Sequence, residues 1–252
     1  MQTYGEVRNK LIRIAAILAI LLSMVPFANL SASAQVPSAY FREVRTFSTG
    51  DYGIFEPAQV LFSPEKKSLL IIKASSIQKD ASITYSGIAV NLQRDFEGNL
   101  SLQANNFNPI NASFNPKDGN LFYIDQVTSE LNQIARQGAD SFQFQEQRPN
   151  ALSIASLQVN NPQGITFDPE TGDLFILDAR RMQIVKVPSS SFNQIESDAG
   201  LLETNSSVIS LQAINNPQLQ GIAFNPNNKH LYIGSSSQNA IYELSETGQL
   251  IS

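Results

Sequence analysis

The chain has 252 residues, 42% of them hydrophobic and only 15% charged, which is enough apolar material for a sizeable core and excludes a disordered polyelectrolyte. A formal charge of −5 argues against nucleic acid and anionic membrane surfaces as partners, because both reward a basic face. With no cysteine, disulfide staples and thiol chemistry are excluded, and stability has to come from packing.

Residues 1–34 read as a secretory signal. Arg8, Lys10 and Arg13 precede the apolar run from Ile14 to Leu22, and Ala32-Ser33-Ala34 supplies the small-x-small pattern that a signal peptidase accepts. An uncleaved anchor is the alternative, but the run is short for a span and Pro26 interrupts its extension. Cleavage after Ala34 leaves residues 35–252 with a formal charge of −7, secreted to the periplasm or the exterior, with no further segment able to span a bilayer.

Four segments then share one template: Gln59-Val-Leu-Phe62-Ser-Pro64, Asn111-Ala-Ser-Phe114-Asn-Pro116, Gly164-Ile-Thr-Phe167-Asp-Pro169 and Gly221-Ile-Ala-Phe224-Asn-Pro226. Their phenylalanines are 52, 53 and 57 residues apart, a period that marks a repeat architecture. Seven residues after each one a second apolar run begins, at Leu69, Leu121, Leu174 and Leu231, and the Pro/Gly/Asx-rich turn between the two runs predicts a hairpin. Third strands are predicted from Leu131, Ile184 and Ile241, with the first repeat's displaced to about Ile83–Leu92. Polar fourth strands are expected at Leu100–Gln103, Phe142–Glu146, Val208–Leu211 and Gln249–Ile251, as water-facing outer edges. The second strands are apolar without alternation, so both of their faces have to be covered. Blades packed face to face around an axis meet that requirement; a solenoid coil is usually shorter than this period, and a sandwich need not repeat.

The series Gly-Ile-x-Phe-Asx-Pro, Leu-aromatic-Ile and Ile-x-x-Val/Leu resembles the blades of NHL-repeat β-propellers and of the related gluconolactonase-type and phytase-like propellers, over about residues 41–252. The resemblance implies an all-β β-propeller. Four four-stranded blades are recognisable, whereas those families usually have six, so two readings stay open: a fragment of a six-bladed propeller, which is favoured, or four blades that close directly. Phe41–Phe47 reads as an orphan fourth strand. NHL blades favour Asp six residues and Asn three residues before the third-strand Ile. Asp125 and Asp178 fit the first position and Ser235 replaces it; Thr128, Arg181 and Gln238 replace the Asn.

Most catalytic signatures are missing from the sequence: no G-x-S-x-G elbow, phosphate loop or H-E-x-x-H. The single histidine, His230, reads as a solvated residue of the Asn227-Asn-Lys-His turn. Asp168–Asp173 lacks the alternating acidic ligands of a calcium loop and reads as a plain turn. Asp125 and Asp178, at strand ends, are expected to accept backbone hydrogen bonds.

One set of positions invites more. Glu56, Asn108 and Asn161 stand six residues before the repeat phenylalanines, each followed by Pro, and Asn216-Pro217 has the same place displaced by two. In a propeller these residues ring one mouth of the central channel. The bland reading is that Asx-Pro sets the bend into a strand. The sharper one makes Glu56, Asn108, Asn161 and Asn216 ligand-binding residues, the first three holding Ca²⁺, since amide and carboxylate oxygens suit that ion. The gluconolactonase-type resemblance implies a metal held by Glu, Asn and Asp at comparable places, but this chain has Glu56-Pro57 where those enzymes have Glu-Gly-Pro, and no Asp stands in the ring.

Two functions follow. The favoured one is a secreted, non-enzymatic binding module for a protein, glycan or small ligand, with the long polar connections Arg136–Asn150 and Ser189–Ser207 as added surface. The alternative is a Ca²⁺-dependent lactonase, esterase or phosphatase working in the channel.

Overall fold

A computed structural model describes residues 46, 48–73, 83–104, 112–125, 127–138, 141–145, 151–194, 205–214 and 218–251. The signal segment 1–34 and all of Phe41–Phe47 except Thr46 lie outside the described residues, as do Asn108 and Asn216. Among the described residues no helix is long and apolar enough to cross a membrane.

The strands follow the repeat. The first unit is β1 (Pro57–Ser63), β2 (Ser68–Lys73), β3 (Ile83–Asn91) and β4 (Phe96–Ala104). The second is β5 (Ala112–Phe114), β6 (Leu121–Asp125), β7 (Glu130–Arg136), β8 (Gln143–Gln145) and β9 (Ala151–Ser153). The third is β10 (Pro162–Phe167), β11 (Leu174–Asp178), β12 (Gln183–Val187) and β13 (Ser207–Ser210). The fourth is β14 (Leu219–Asn225), β15 (His230–Ser235) and β16 (Ala240–Ser245), whose outer edge is met by a bridge from Leu250 to Leu244. Within the first, third and fourth units successive strands pair antiparallel, and the innermost strands β1, β5, β10 and β14 lie side by side from unit to unit. These are propeller blades.

The Phe-Asx-Pro motif has a local cause. Asn115, Asp168 and Asn225 each turn a side-chain oxygen back onto the N–H two residues ahead, at 3.0, 2.8 and 3.0 Å, closing the first hairpin of their blades. Asp168 also receives Lys229 of the next blade at 3.6 Å. The glycine of the template allows close approach: a β-carbon on Gly164 would stand 2.9 Å from the Ile222 nitrogen of the neighbouring innermost strand.

The phenylalanines of blades two to four wedge onto the second strand of the blade before, whereas Phe62 packs on the far side of blade one. Phe167 meets Phe122 edge-on at 5.3 Å, and Phe224 stacks on Phe175 at 5.4 Å. Phe114 joins Leu70 and Ile72 of the first blade in one buried cluster. Such burial contributes about 1.5–3 kcal/mol per ring, with about 0.5–1.5 more for the aromatic pairs. Three interblade cores result, and a fourth cluster on the far side of blade one is closed by Ile54 and Tyr52 at the end of a 3-10 turn, Thr49–Tyr52.

Two expectations need correction. The Phe142–Glu146 segment is not a simple water-facing edge: β8 pairs antiparallel with the end of β7 and parallel with β4, sewing blade two to blade one, while β9 takes the rest of the β7 edge. The cause is Phe144, buried with its ring 5.5 Å from that of Phe114. Second, β15 is not covered on both faces. β6 and β11 are buried throughout, but β15 alternates: Leu231 and Ile233 are buried against blade three, while Tyr232 and Gly234, at the positions of Phe175 and Leu177, are half-buried on the outward face.

Candidate ligand-binding face

Antiparallel pairing of the first two strands places Pro57 beside Lys73, Ala112 beside Tyr123, Pro162 beside Asp178 and Leu219 beside Ser235. The start of every innermost strand and the turn leaving every second strand therefore share one face, the mouth. The opposite face carries the first hairpin turns.

That opposite face is tied shut by charge. Arg136 bonds Glu65 of the neighbouring blade at 2.8 Å, and Lys229 reaches Glu170 and Asp168. Lys186 holds Asp173 at 3.2 Å and Glu246 of blade four at 2.5 Å. Burial pushes the Asp173 carboxyl up, but the Ser189 N–H, Lys186 and Thr171 outweigh it and hold it below the usual carboxylate range. Burial likewise pulls Lys186 down, and its two carboxylates outweigh that and raise it.

The mouth is built differently. Asp178, at the end of β11, is 0% exposed, and its carboxylate accepts four backbone N–H groups: Asn160 at 2.9 Å, Asn161 at 3.3 Å, Arg180 at 3.1 Å and Arg181 at 3.2 Å. It thus fastens the segment before β10 to the turn after β11. Asp125 does less in blade two, accepting from Val127 at 2.7 Å and Thr128 at 3.3 Å, and in blade four the Ser235 hydroxyl accepts from Gln238 at 3.3 Å. Strand-end acceptors agree with the sequence; the grip of Asp178 on the segment leading into β10 is not legible there.

Of the proposed ring, Glu56 stands exposed before β1, and Asn161 stands exposed before β10. Asn161 Oδ1, the oxygen a cation needs, accepts from Gln163 Nε2 at 3.0 Å. Among the described residues no group of three or more His, Asp or Glu side chains is gathered as a metal site. Asn161 instead lines an open cleft of about 220 Å³ between blades three and four, with Gln163, Ala179, Gln218, Gln220 and Ser236; Glu56 is not among its walls. Sequence reasoning missed the glutamines, although Gln-Gly-Ile recurs at 163–165 and 220–222 and aligns Gln163 with Gln220. Two large apolar side chains also stand out on the mouth: Phe55, 82% exposed beside Glu56, and Val127, 81% exposed in the turn held by Asp125.

His230 is a correction. It begins β15 instead of sitting free in the turn, and its Nδ1 lies 2.7 Å from Glu243 Oε1, which also accepts from the Tyr232 hydroxyl at 2.6 Å. Burial, and then Glu243, push the Tyr232 phenol above its ordinary value. The trio lies on the outward face of blade four, away from the mouth cleft.

No family model matches the chain, and a search of the curated proteins finds no match. Solved structures do resemble it. A luciferin-regenerating enzyme is 18% identical with a TM-score of 0.51 over 75% of this chain and 61% of that one. The nidogen/laminin complex is 14% identical with a TM-score of 0.44, covering 78% of each chain. Virginiamycin B lyase from Staphylococcus aureus is 10% identical with a TM-score of 0.41, over 78% of this chain and 69% of that one. The chain thus spans about 61% of the length of the luciferin-regenerating enzyme, whose likeness bears on fold alone. With its repeated antiparallel blades, wedged one on the next and sharing that overall course, the chain is a β-propeller protein.

Proposed function

We propose that this chain is an exported, non-enzymatic binding module that meets its ligand with the mouth face of the propeller. The observation that carries the reading is the contrast between its two faces. At the mouth, Phe55 and Val127 are 82% and 81% exposed and an amide-lined cleft lies open, whereas the hairpin turns opposite are bound to one another by ion pairs. Apolar side chains held in water by fixed turns mark recognition surfaces. Export rests on the sequence of residues 1–34, and the acidic mature chain suits an uncharged or basic ligand better than nucleic acid. The alternative, Ca²⁺-assisted hydrolysis, draws on Glu56 and Asn161 alone among the described residues.

The test uses the purified mature chain, fluorescently labelled and added back to cells and culture matrix of its source. Binding that is lost in the Phe55→Ser/Val127→Ser double variant, and kept in a Lys66→Ser/Lys67→Ser variant of the opposite face, supports the reading. Equal binding by both variants, or turnover of a chromogenic lactone, ester or phosphate that needs Ca²⁺, overturns it.

A further inference from the structure

Resting on that reading, we infer that the cleft between blades three and four takes an uncharged sugar residue. Its rim is made of neutral groups that donate and accept together: the amides of Asn161, Gln163, Gln218 and Gln220 and the hydroxyl of Ser236. Gln220 and Ser236 have no side-chain partner among the described residues. The floor, Ala179 and Leu219, is apolar. A pyranose ring has the same division, with hydroxyls around its edge and C–H groups on its face.

No charged side chain is among the residues that line this cleft, although charges lie near it. Asp178 lies behind it with its carboxylate given to four backbone N–H groups, and Arg181 spends Nη1 on the Gln158 carbonyl at 2.7 Å. An anionic or cationic ligand would therefore find no counter-charge among the lining residues, while the Gln220 amide offers a neighbouring hydroxyl pair both a donor and an acceptor. Size narrows the ligand further. At about 220 Å³ and open to solvent, the cleft is smaller than the roughly 300–1,000 Å³ of sites that enclose drug-sized molecules, so it holds one ring of a chain whose remainder lies outside. So few buried contacts give a dissociation constant on the order of millimolar.

Saturation-transfer NMR reads binding in that range. The mature chain is titrated with cellohexaose, chitohexaose and xylohexaose, and with hexagalacturonate as the anionic control. Expected are saturation of at least one neutral hexasaccharide, roughly five- to tenfold weaker binding in Gln220→Ala, and an unshifted unfolding temperature. Should that variant fail to fold, Ser236→Ala and Gln163→Ala carry the comparison. A preference for hexagalacturonate, binding equal in wild type and variants, or no binding of any neutral sugar overturns the inference. The mouth reading is judged separately, by the Phe55/Val127 experiment, so each can fail without the other.

Discussion

Replacing Asp178 by asparagine isolates the contribution of one buried carboxylate to the mouth. Oδ1 serves Asn161, Arg180 and Arg181, and an amide oxygen can keep serving them. Oδ2 serves Asn160 at 2.9 Å, and there the substituted side chain presents an NH₂ to another donor. The loss combines a charge-assisted bond, about 1.5–3 kcal/mol, with a buried unsatisfied N–H, about 1–3 kcal/mol, so Asp178→Asn should destabilise the chain by roughly 3–4 kcal/mol. Asp125→Asn is the internal control, because both of its bonds go to Oδ1 and both survive the exchange. Its expected cost is about 1 kcal/mol or less. Urea unfolding followed by circular dichroism, compared at equal m, measures both. The bond accounting is wrong if the two variants lie within about 0.5 kcal/mol of each other, which is the usual scatter of surface changes.

Phe144→Ala should cost about 3–5 kcal/mol in the same assay, since the ring is buried against Phe114 and lies 5.9 Å under the Arg136 guanidinium; a loss below about 1 kcal/mol would remove β8 as the seam between blades one and two. Asp173 is held below its ordinary 3.8 in the folded chain, so its contribution is present above that pH and disappears as pH falls through the folded value. Asp173→Asn should therefore lower the unfolding temperature at neutral pH, with the gap to wild type closing in acid; a gap that widens in acid contradicts the pairing with Lys186. Adding Ca²⁺ should leave the unfolding temperature unchanged, because Asn161 Oδ1 is taken by Gln163. A site filled a hundredfold above its dissociation constant adds about 2.7 kcal/mol, roughly 5–10 °C for a chain of this size, and a shift of that order abolished by Glu56→Ala would restore the channel cation.

The blades were legible because their causes are local and recur. A phenylalanine and an apolar run seven residues on, joined in blades two to four by an Asx that closes its own turn, are fixed within ten residues of one another, and they place β1, β5, β10 and β14 without tertiary information. The seam made by β8 was not legible. Gln143-Phe-Gln145 has the short alternation of any outer strand, and only the room beside Phe114 and the free edge of β4 decide that it bridges two blades. Blade four differs from the others at one legible position. The position that holds Leu70, Phe122 and Phe175 holds Tyr232, and its hydroxyl, bonded to Glu243, marks a face that is not sealed like the others.

The site was harder because chemistry at the mouth depends on which side chains the blade positions bring together. Asx-Pro before a strand suggested oxygen ligands, yet the same dipeptide also sets a bend, and for Asn161 the bond from Gln163 favours the bend. The residue that organises this region, Asp178, matched a repeat position and gave no sign that its second oxygen reaches the segment leading into β10. What distinguishes a binding surface here is surplus hydrogen-bonding capacity. Asp178 gives its carboxylate to four backbone N–H groups, while Gln220 and Ser236, one strand away, have no side-chain bond among the described residues. A propeller can keep its blades rigid with satisfied charges and leave neutral amides for the ligand, and the contrast between the two sets is what favours the mouth as the recognition face.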